Sequence, residues 1–209
     1  MPQIQLTPVQ ARILGSLAEK AVTTPAYYPM TLNAILAAAN QKSARHPAMK
    51  LGEGEAGSAL ADLVEMRLVT RDDDSGRVPK WRHRFEHETL LPKPVLAVLV
   101  ALMLRGPQTQ AELRAHAAPM GGPDDAEGVR AALERMADGP DPFVREMPRA
   151  AGQSAARWAH LLCGEPEMPA AVPAAAPARG GQQEAIAELE ARVDALEAEV
   201  ARMREALGM

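Results

Sequence analysis

The sequence predicts a mainly α chain with small β-hairpins, an α+β class, and three observations carry that prediction. The first is the stretch 60–85, LADLVEMRLVTRDDDSGRVPKWRHRF. Leu60, Leu63 and Val64 recur at helical spacing, Leu68-Val69-Thr70 has the branched residues of a short strand, and Asp72 to Gly76 is a run of turn formers. Lys80 to Phe85 then alternates, with Trp81, His83 and Phe85 on one side and Lys80, Arg82 and Arg84 on the other. The second observation is that this design recurs. Val129, Ala132, Leu133 and Met136 share a helical face, Phe143 to Met147 reads as a strand, 150–154 as a turn, and Arg157 to Leu162 as a returning strand. Trp81 and His83 correspond to Trp158 and His160, both pairs displaced by 77 positions, so a two-fold internal repeat is the economical reading. The third is a C-terminal heptad. A helix feeding a two-stranded hairpin is how a winged-helix module ends, so the expected architecture is two tandem winged-helix domains followed by a coiled-coil helix.

The chain has 209 residues, room for two small domains and a tail. It is 47% hydrophobic and 24% charged, which places it among globular rather than disordered chains. Aromatics are only 3%, so the core is built from Ala, Leu and Val, a composition that suits helices. A single cysteine, Cys163, excludes an intramolecular disulfide and fits a reducing cytoplasm. The first ten residues lack the basic and apolar pattern of a signal peptide, and the longest apolar run, 94–104, is too short to cross a bilayer. The expected location is therefore cytoplasmic. A formal net charge of −4 argues against strong nonspecific nucleic-acid binding but leaves room for a local basic patch.

In order along the chain, Thr7-Pro8-Val9-Gln10 is a helix start: Thr7 caps, Pro8 suits the first helical position and Gln10 completes a capping box. Val9, Ile13, Leu14, Leu17 and Ala21 form the buried stripe of that helix. Thr23-Thr24-Pro25 and Tyr28-Pro29 break it, and Thr31 caps a second helix carrying Leu32, Ile35, Leu36 and Ala39. Residues 40–50, NQKSARHPAMK, form a basic loop without an acid, and a third helix runs from near Glu53 to about Arg67. Pro92 and Pro94 mark the boundary between a first domain, 1–91, and a second, 92–163. The run from Pro94 to Leu104 is apolar on every face and must be covered all round, either by the two domains or by a second subunit. Thr109 caps the next helix, 110–117, with Glu112 as its capping-box partner, and Asp124-Asp125 caps the third helix of the repeat.

Residues 164–183, rich in Ala, Pro and Gly, read as a linker. In 184–209, Ile186, Leu189, Val193, Leu196, Val200, Met203 and Leu207 alternate at spacings of three and four. Branched residues at a with Leu at d favour a parallel homodimer, and Arg192, Glu197, Glu199 and Arg204 flank the seam with opposite charges. The competing reading is an amphipathic helix that folds back on the globular part.

Arg12-Ile-Leu-Gly15 with Glu19-Lys20, Thr23-Thr-Pro25 with Tyr28-Pro29, Leu32-Asn33, Asn40-Gln-Lys-Ser43 and Arg45 with Pro47 form an ordered set of motifs. Leu104-Arg-Gly-Pro-Gln-Thr109 with Glu112-Leu-Arg114, and Ala159-His-Leu-Leu-Cys-Gly164, continue it over 7–164. By these the chain resembles the YceH-like proteins of bacteria. The resemblance implies tandem winged helices, often with a C-terminal helical segment, and implies no particular activity. Gln10 and His46 depart from the pattern, each standing where glutamate is expected.

Two functional expectations follow. In the first, double-stranded DNA is held through phosphates by Lys80, Arg82 and Arg84 of the wing and by Lys42, Arg45 and Lys50 of the loop, with polar contacts from Asn40, Gln41 and Ser43. The acids Glu53, Glu55, Asp62 and Glu65 on the third helix repel phosphates, so sequence readout is expected to be weak. The second wing offers only Arg157 beside Ala159 and Leu161, an apolar face that suits docking. In the second expectation the chain is a protein-interaction scaffold, with no DNA contact. An enzyme is not expected: no Walker loop, Gly-x-Ser-x-Gly, His-Glu-x-x-His or cysteine pair occurs, and no catalytic residue, metal, cofactor or small-molecule substrate is evident. His83 and His160 are expected as packed residues bonded to nearby backbone, and Cys163 as a small buried hydrophobe.

Overall fold

A computed structural model of the chain describes residues 4–72, 78–149 and 155–166. All of them belong to the unit Met1–Met168. The linker beyond Pro166 and the heptad over 184–209 lie outside the described residues, as do most of the two expected hairpin turns.

The described part is α+β, with seven α-helices and two antiparallel sheets. Helix α1 (Pro8–Thr23) opens with the expected capping box: the Gln10 N–H donates to Thr7 Oγ1, and the Thr7 N–H donates back to Gln10 Oε1 at 2.8 Å. The short strand β1 (Met30–Thr31) leads into α2 (Leu32–Ala39), capped by Thr31. Helix α3 is Glu53–Glu65, strand β2 is Val69–Asp72 and strand β3 is Lys80–His83. The sheet order is β1-β3-β2, with Val69 opposite His83 and Met30 opposite Trp81.

The second half repeats this plan. Helices α5 (Lys93–Arg105), α6 (Gln110–Ala117) and α7 (Ala126–Ala137) precede β4 (Val144–Met147) and β5 (Arg157–His160). Val144 stands opposite His160, as Val69 stands opposite His83. Gln108, just before the α6 cap Thr109, bridges to Trp158 through two backbone hydrogen bonds of 3.0 and 2.7 Å. Met30, just before the α2 cap Thr31, pairs with Trp81 in the same way. The repeat read from two Trp-x-His triplets therefore extends to caps, strand pairing and helix order.

Helix α5 is buried along its whole apolar run, from Val95 to Leu104. Its cover comes from this chain: α1, α6, α7 and β5 pack around it, and one hydrophobic cluster runs from Leu6 to Leu162. Of the two ways to cover that run, a second subunit is not needed. The first helices of the two halves approach closely where Gly15 has no side chain. A Cβ there would lie 3.1 Å from Leu104 Cδ2.

Several local expectations are corrected. Phe85 does not continue the strand; it starts the short helix α4 (Phe85–Thr89), and its ring is fully buried. Val64 does not share the buried face of Leu60 and Leu63, being 38% exposed. Ala159 is buried, so the second hairpin does not present the expected apolar outer face. Cys163 is exposed rather than packed in the core.

Candidate functional site

The loop between α2 and α3 was expected to present cations outward, yet it is wired into the protein by a buried polar cluster. Arg45 is the correction. Its side chain is fully buried, and it bonds the carbonyls of Ala38 and Ala44 at 3.0 and 2.9 Å. Both of its Nη atoms donate to the Glu19 carboxylate, one of them at 3.2 Å. Below it, Arg12 is 1% exposed and donates to Ala39 O at 3.3 Å and Pro47 O at 2.7 Å. A guanidinium presents five donors in a fixed fork, which suits it to gathering carbonyls from a loop that lacks regular structure. Asn40 does the same work by mimicking a strand partner. Its amide donates to Leu51 O at 3.0 Å, and the Leu51 N–H returns a bond of 2.8 Å to Asn40 Oδ1. The His46 N–H donates to Leu104 O at 2.8 Å, fixing the loop to the end of α5.

Burial by itself raises the pKa of Glu19. Hydrogen bonds and charge from Arg45, helped by Lys20, outweigh it and hold the carboxyl below its usual range. Burial lowers Arg12, and the charge of Arg45 adds to the effect. Arg105 is lowered by burial, with Glu19 and Arg45 acting on it in opposite directions. Glu19 is thus the anion that several cations share.

The remaining predicted phosphate contacts are dispersed. Lys42, Ser43 and Lys50 are exposed, and Gln41 is half-buried. Lys80 lies at the opposite end of α2, opposite Thr31 in the sheet. Eight helical residues separate the two ends, about 12 Å of axial rise. Arg82 is paired with Asp72 at 2.6 Å, and Arg84 approaches Glu88 at 3.7 Å. Helix α3 exposes Glu53, Glu55, Asp62 and Glu65, with Asp62 accepting a bond of 2.9 Å from Gln10. The second half shows the same internal pairing: Arg157 with Glu112, Arg145 with Glu165, and Arg130 with Glu127 and Glu134.

Sequence reasoning missed a second polar cluster. Gln108, 3% exposed, donates to Ala101 O at 3.0 Å and Gly106 O at 3.2 Å, while its carbonyl bonds His116 Nδ1. A lone glutamine between Gly-Pro and a capping threonine carries no local signal of burial, and its mark in the sequence is its place in the Leu104-Arg-Gly-Pro-Gln-Thr109 motif. The two equivalent histidines also depart from expectation. Nδ1 of His83 and of His160 is buried without a hydrogen-bond partner among the described residues, and burial pushes both pKa values down to about 4. The His83 backbone N–H donates to the Tyr28 hydroxyl at 2.6 Å, and the two rings meet edge to face. Among the described residues no three His, Cys, Asp or Glu side chains gather as a metal site, and no helix is long and apolar enough to cross a membrane.

Fold and cluster together define an α+β protein of two like halves joined along α1 and α5. The chain belongs to the DUF480 family, whose model, described as "Protein of unknown function, DUF480", matches residues 6–153. Its relatives include UPF0502 proteins of Geobacter sulfurreducens, 42% identical over 96% of this chain and 91% of the relative, and of Azoarcus sp., 43% identical over 96% and 90%. A UPF0502 protein of Burkholderia pseudomallei is 40% identical over 96% of this chain and 85% of its own length. The YceH-like resemblance is consistent with this membership. Of its motif residues, Arg12 and Arg45 are the buried guanidiniums that bond Pro47 O and the Glu19 carboxylate, and Asn40 pairs with Leu51 across the same loop.

Proposed function

We propose that the chain is a protein-interaction module made of two winged-helix repeats, self-associating through the heptad of 184–209. The winged-helix reading is supported by the strand order β1-β3-β2 behind three helices, and by the equivalent pairing of Gln108 and β4 on either side of β5. The observation that carries the interaction reading is α3. A winged-helix DNA reader brings basic or amide side chains of its third helix to base edges. Here that helix exposes four carboxylates and has no basic residue within it. Arg45 is buried, and Arg82 and Arg84 already face carboxylates.

DNA binding is kept as a second reading because Lys42 and Lys50 are exposed and make no ion pair among the described residues. Fluorescence anisotropy of a labelled duplex at low and moderate salt separates the two. The interaction reading expects no saturable binding at low salt. Contacts from Lys42, Lys50 and Lys80 would instead give a log K against log salt slope of about −2.7. Binding of that kind, abolished by Lys42→Glu with Lys50→Glu, would replace the interaction reading with the DNA one. For self-association, sedimentation velocity of the full chain should give a dimer, and Leu189→Lys with Leu196→Lys a monomer. A wild-type monomer at tens of micromolar would remove the zipper from the proposal.

A further inference from the structure

The two halves differ where a helix hands over to the hairpin, and the longer connection lines a cavity. In the first half, α3 ends at Glu65 and β2 begins at Val69, leaving 66–68 between them. In the second, α7 ends at Ala137 and β4 begins at Val144, leaving 138–143, twice as many. Both connections turn at their second residue through positive φ, Arg67 at 60° and Gly139 at 97°. The longer one then adds Pro140-Asp141-Pro142. Two prolines stiffen this addition, and the Phe143 N–H anchors its end to Met136 O at 2.8 Å.

The extra loop forms one wall of a cleft of about 320 Å³, within the range of small-molecule sites. Met66 and Leu68, from the equivalent connection of the first half, line the same cleft, and Ile4, Leu161 and Leu162 add to its apolar lining. The Leu6 N–H to Leu162 O bond of 2.7 Å and the Leu161 N–H to Phe143 O bond of 2.8 Å hold these segments together, so the cleft is preformed. Its charged lining is acidic: Glu88, Asp138 and Asp141, with no lysine, arginine or histidine among the lining residues. Glu88 is engaged by Arg84 and His87. Asp138 and Asp141 have no ion pair among the described residues and are exposed to the cleft mouth.

We propose that this cleft binds a small organic cation with an apolar body, the body lying between Met66, Leu68 and Phe143 and the ammonium facing Asp138 and Asp141. Charge complementarity selects the occupant. An anion would face two unneutralised carboxylates, and a neutral molecule would leave both without a counterion. This inference does not depend on the proposed interaction function, because neither a partner protein nor DNA enters it.

The test is calorimetry on the full chain with three probes of one shape: phenethylammonium, 2-phenylethanol and 3-phenylpropionate. Phenethylammonium should bind one to one, the alcohol about tenfold more weakly, and the anion not at all. Asp138→Asn with Asp141→Asn should weaken the ammonium about tenfold and leave the alcohol unchanged. Asp141→Asn alone should show part of that loss. Both residues are exposed, and an unchanged melting temperature certifies the fold. In methyl spectra of labelled methionine, the Met66 resonance should move with the ammonium. No heat for phenethylammonium up to about 5 mM at low salt, equal affinity for all three probes, or a response that leaves Met66 unmoved would each overturn the proposal.

Discussion

Glu19→Gln is the perturbation that most directly probes how the 40–50 loop is held. The Arg45 side chain is fully buried and Glu19 is 16% exposed, so their pair sits near the surface end of the cluster. Removing one partner of a buried pair costs about 3–5 kcal/mol, because the remaining charge is left without its counterion. Two features lower that figure here. Glutamine keeps one acceptor for an Arg45 Nη, and the exposed edge of Glu19 already receives some solvent screening. The expected loss is about 2–3 kcal/mol at pH 7. In urea, with a slope of about 2 kcal/mol/M, the midpoint should fall by about 1 M or slightly more. The same substitution in an Arg45→Met background should cost well under half as much, since no buried guanidinium then remains at that position. The pH dependence follows from the depressed Glu19 pKa. Its contribution is full above the unfolded-state value of about 4.3 and is lost as pH falls through the lower folded value. The gap between wild type and Glu19→Gln should therefore close on acidification below about pH 4. A Glu19→Gln protein within about 0.5 kcal/mol of wild type at pH 7, or an equal cost in both backgrounds, would refute the account of a shared buried anion.

Further outcomes are expected elsewhere in the fold. His83 and His160, with folded pKa values of about 4, stay neutral while the unfolded chain protonates near 6.5. Stability is complete above that range and falls as pH drops toward 4, by about 2 kcal/mol per histidine at pH 5, and His160→Gln should flatten the urea midpoint against pH. Gly122→Ala should destabilise by about 1–3 kcal/mol, because the new Cβ would lie 2.9 Å from the Ala117 backbone; a neutral thermal shift would contradict that packing. Thr109→Ala breaks a capping box whose Glu112 also holds Arg157, and should cost about 1 kcal/mol in the same urea assay.

The helices were legible because their signals are local. Thr7, Thr31, Thr109 and Asp125 cap the helices they were expected to cap, since a short polar side chain before an apolar stripe satisfies free backbone N–H groups wherever the helix later packs. Strand boundaries were less legible. Alternation continues through Phe85 in the sequence, but the chain turns into α4 there so that the ring reaches the core. The candidate site was the least legible. Nothing local distinguishes Arg45 from Lys42 or Lys50, although the first is buried and the other two are exposed.

The sequence alone determined the α+β class, the capped helix starts, the internal repeat and the family, because these rest on periodicity, capping chemistry and ordered motifs within short windows. Tertiary structure alone decided which cations face water and what covers α5. It also decided that two unequal connections, 66–68 and 138–143, enclose a cleft. The physical reason is that a charge's role depends on the carboxylate or carbonyl that reaches it. Glu19 and Arg45 lie 26 positions apart and meet only once α1 and the loop have packed.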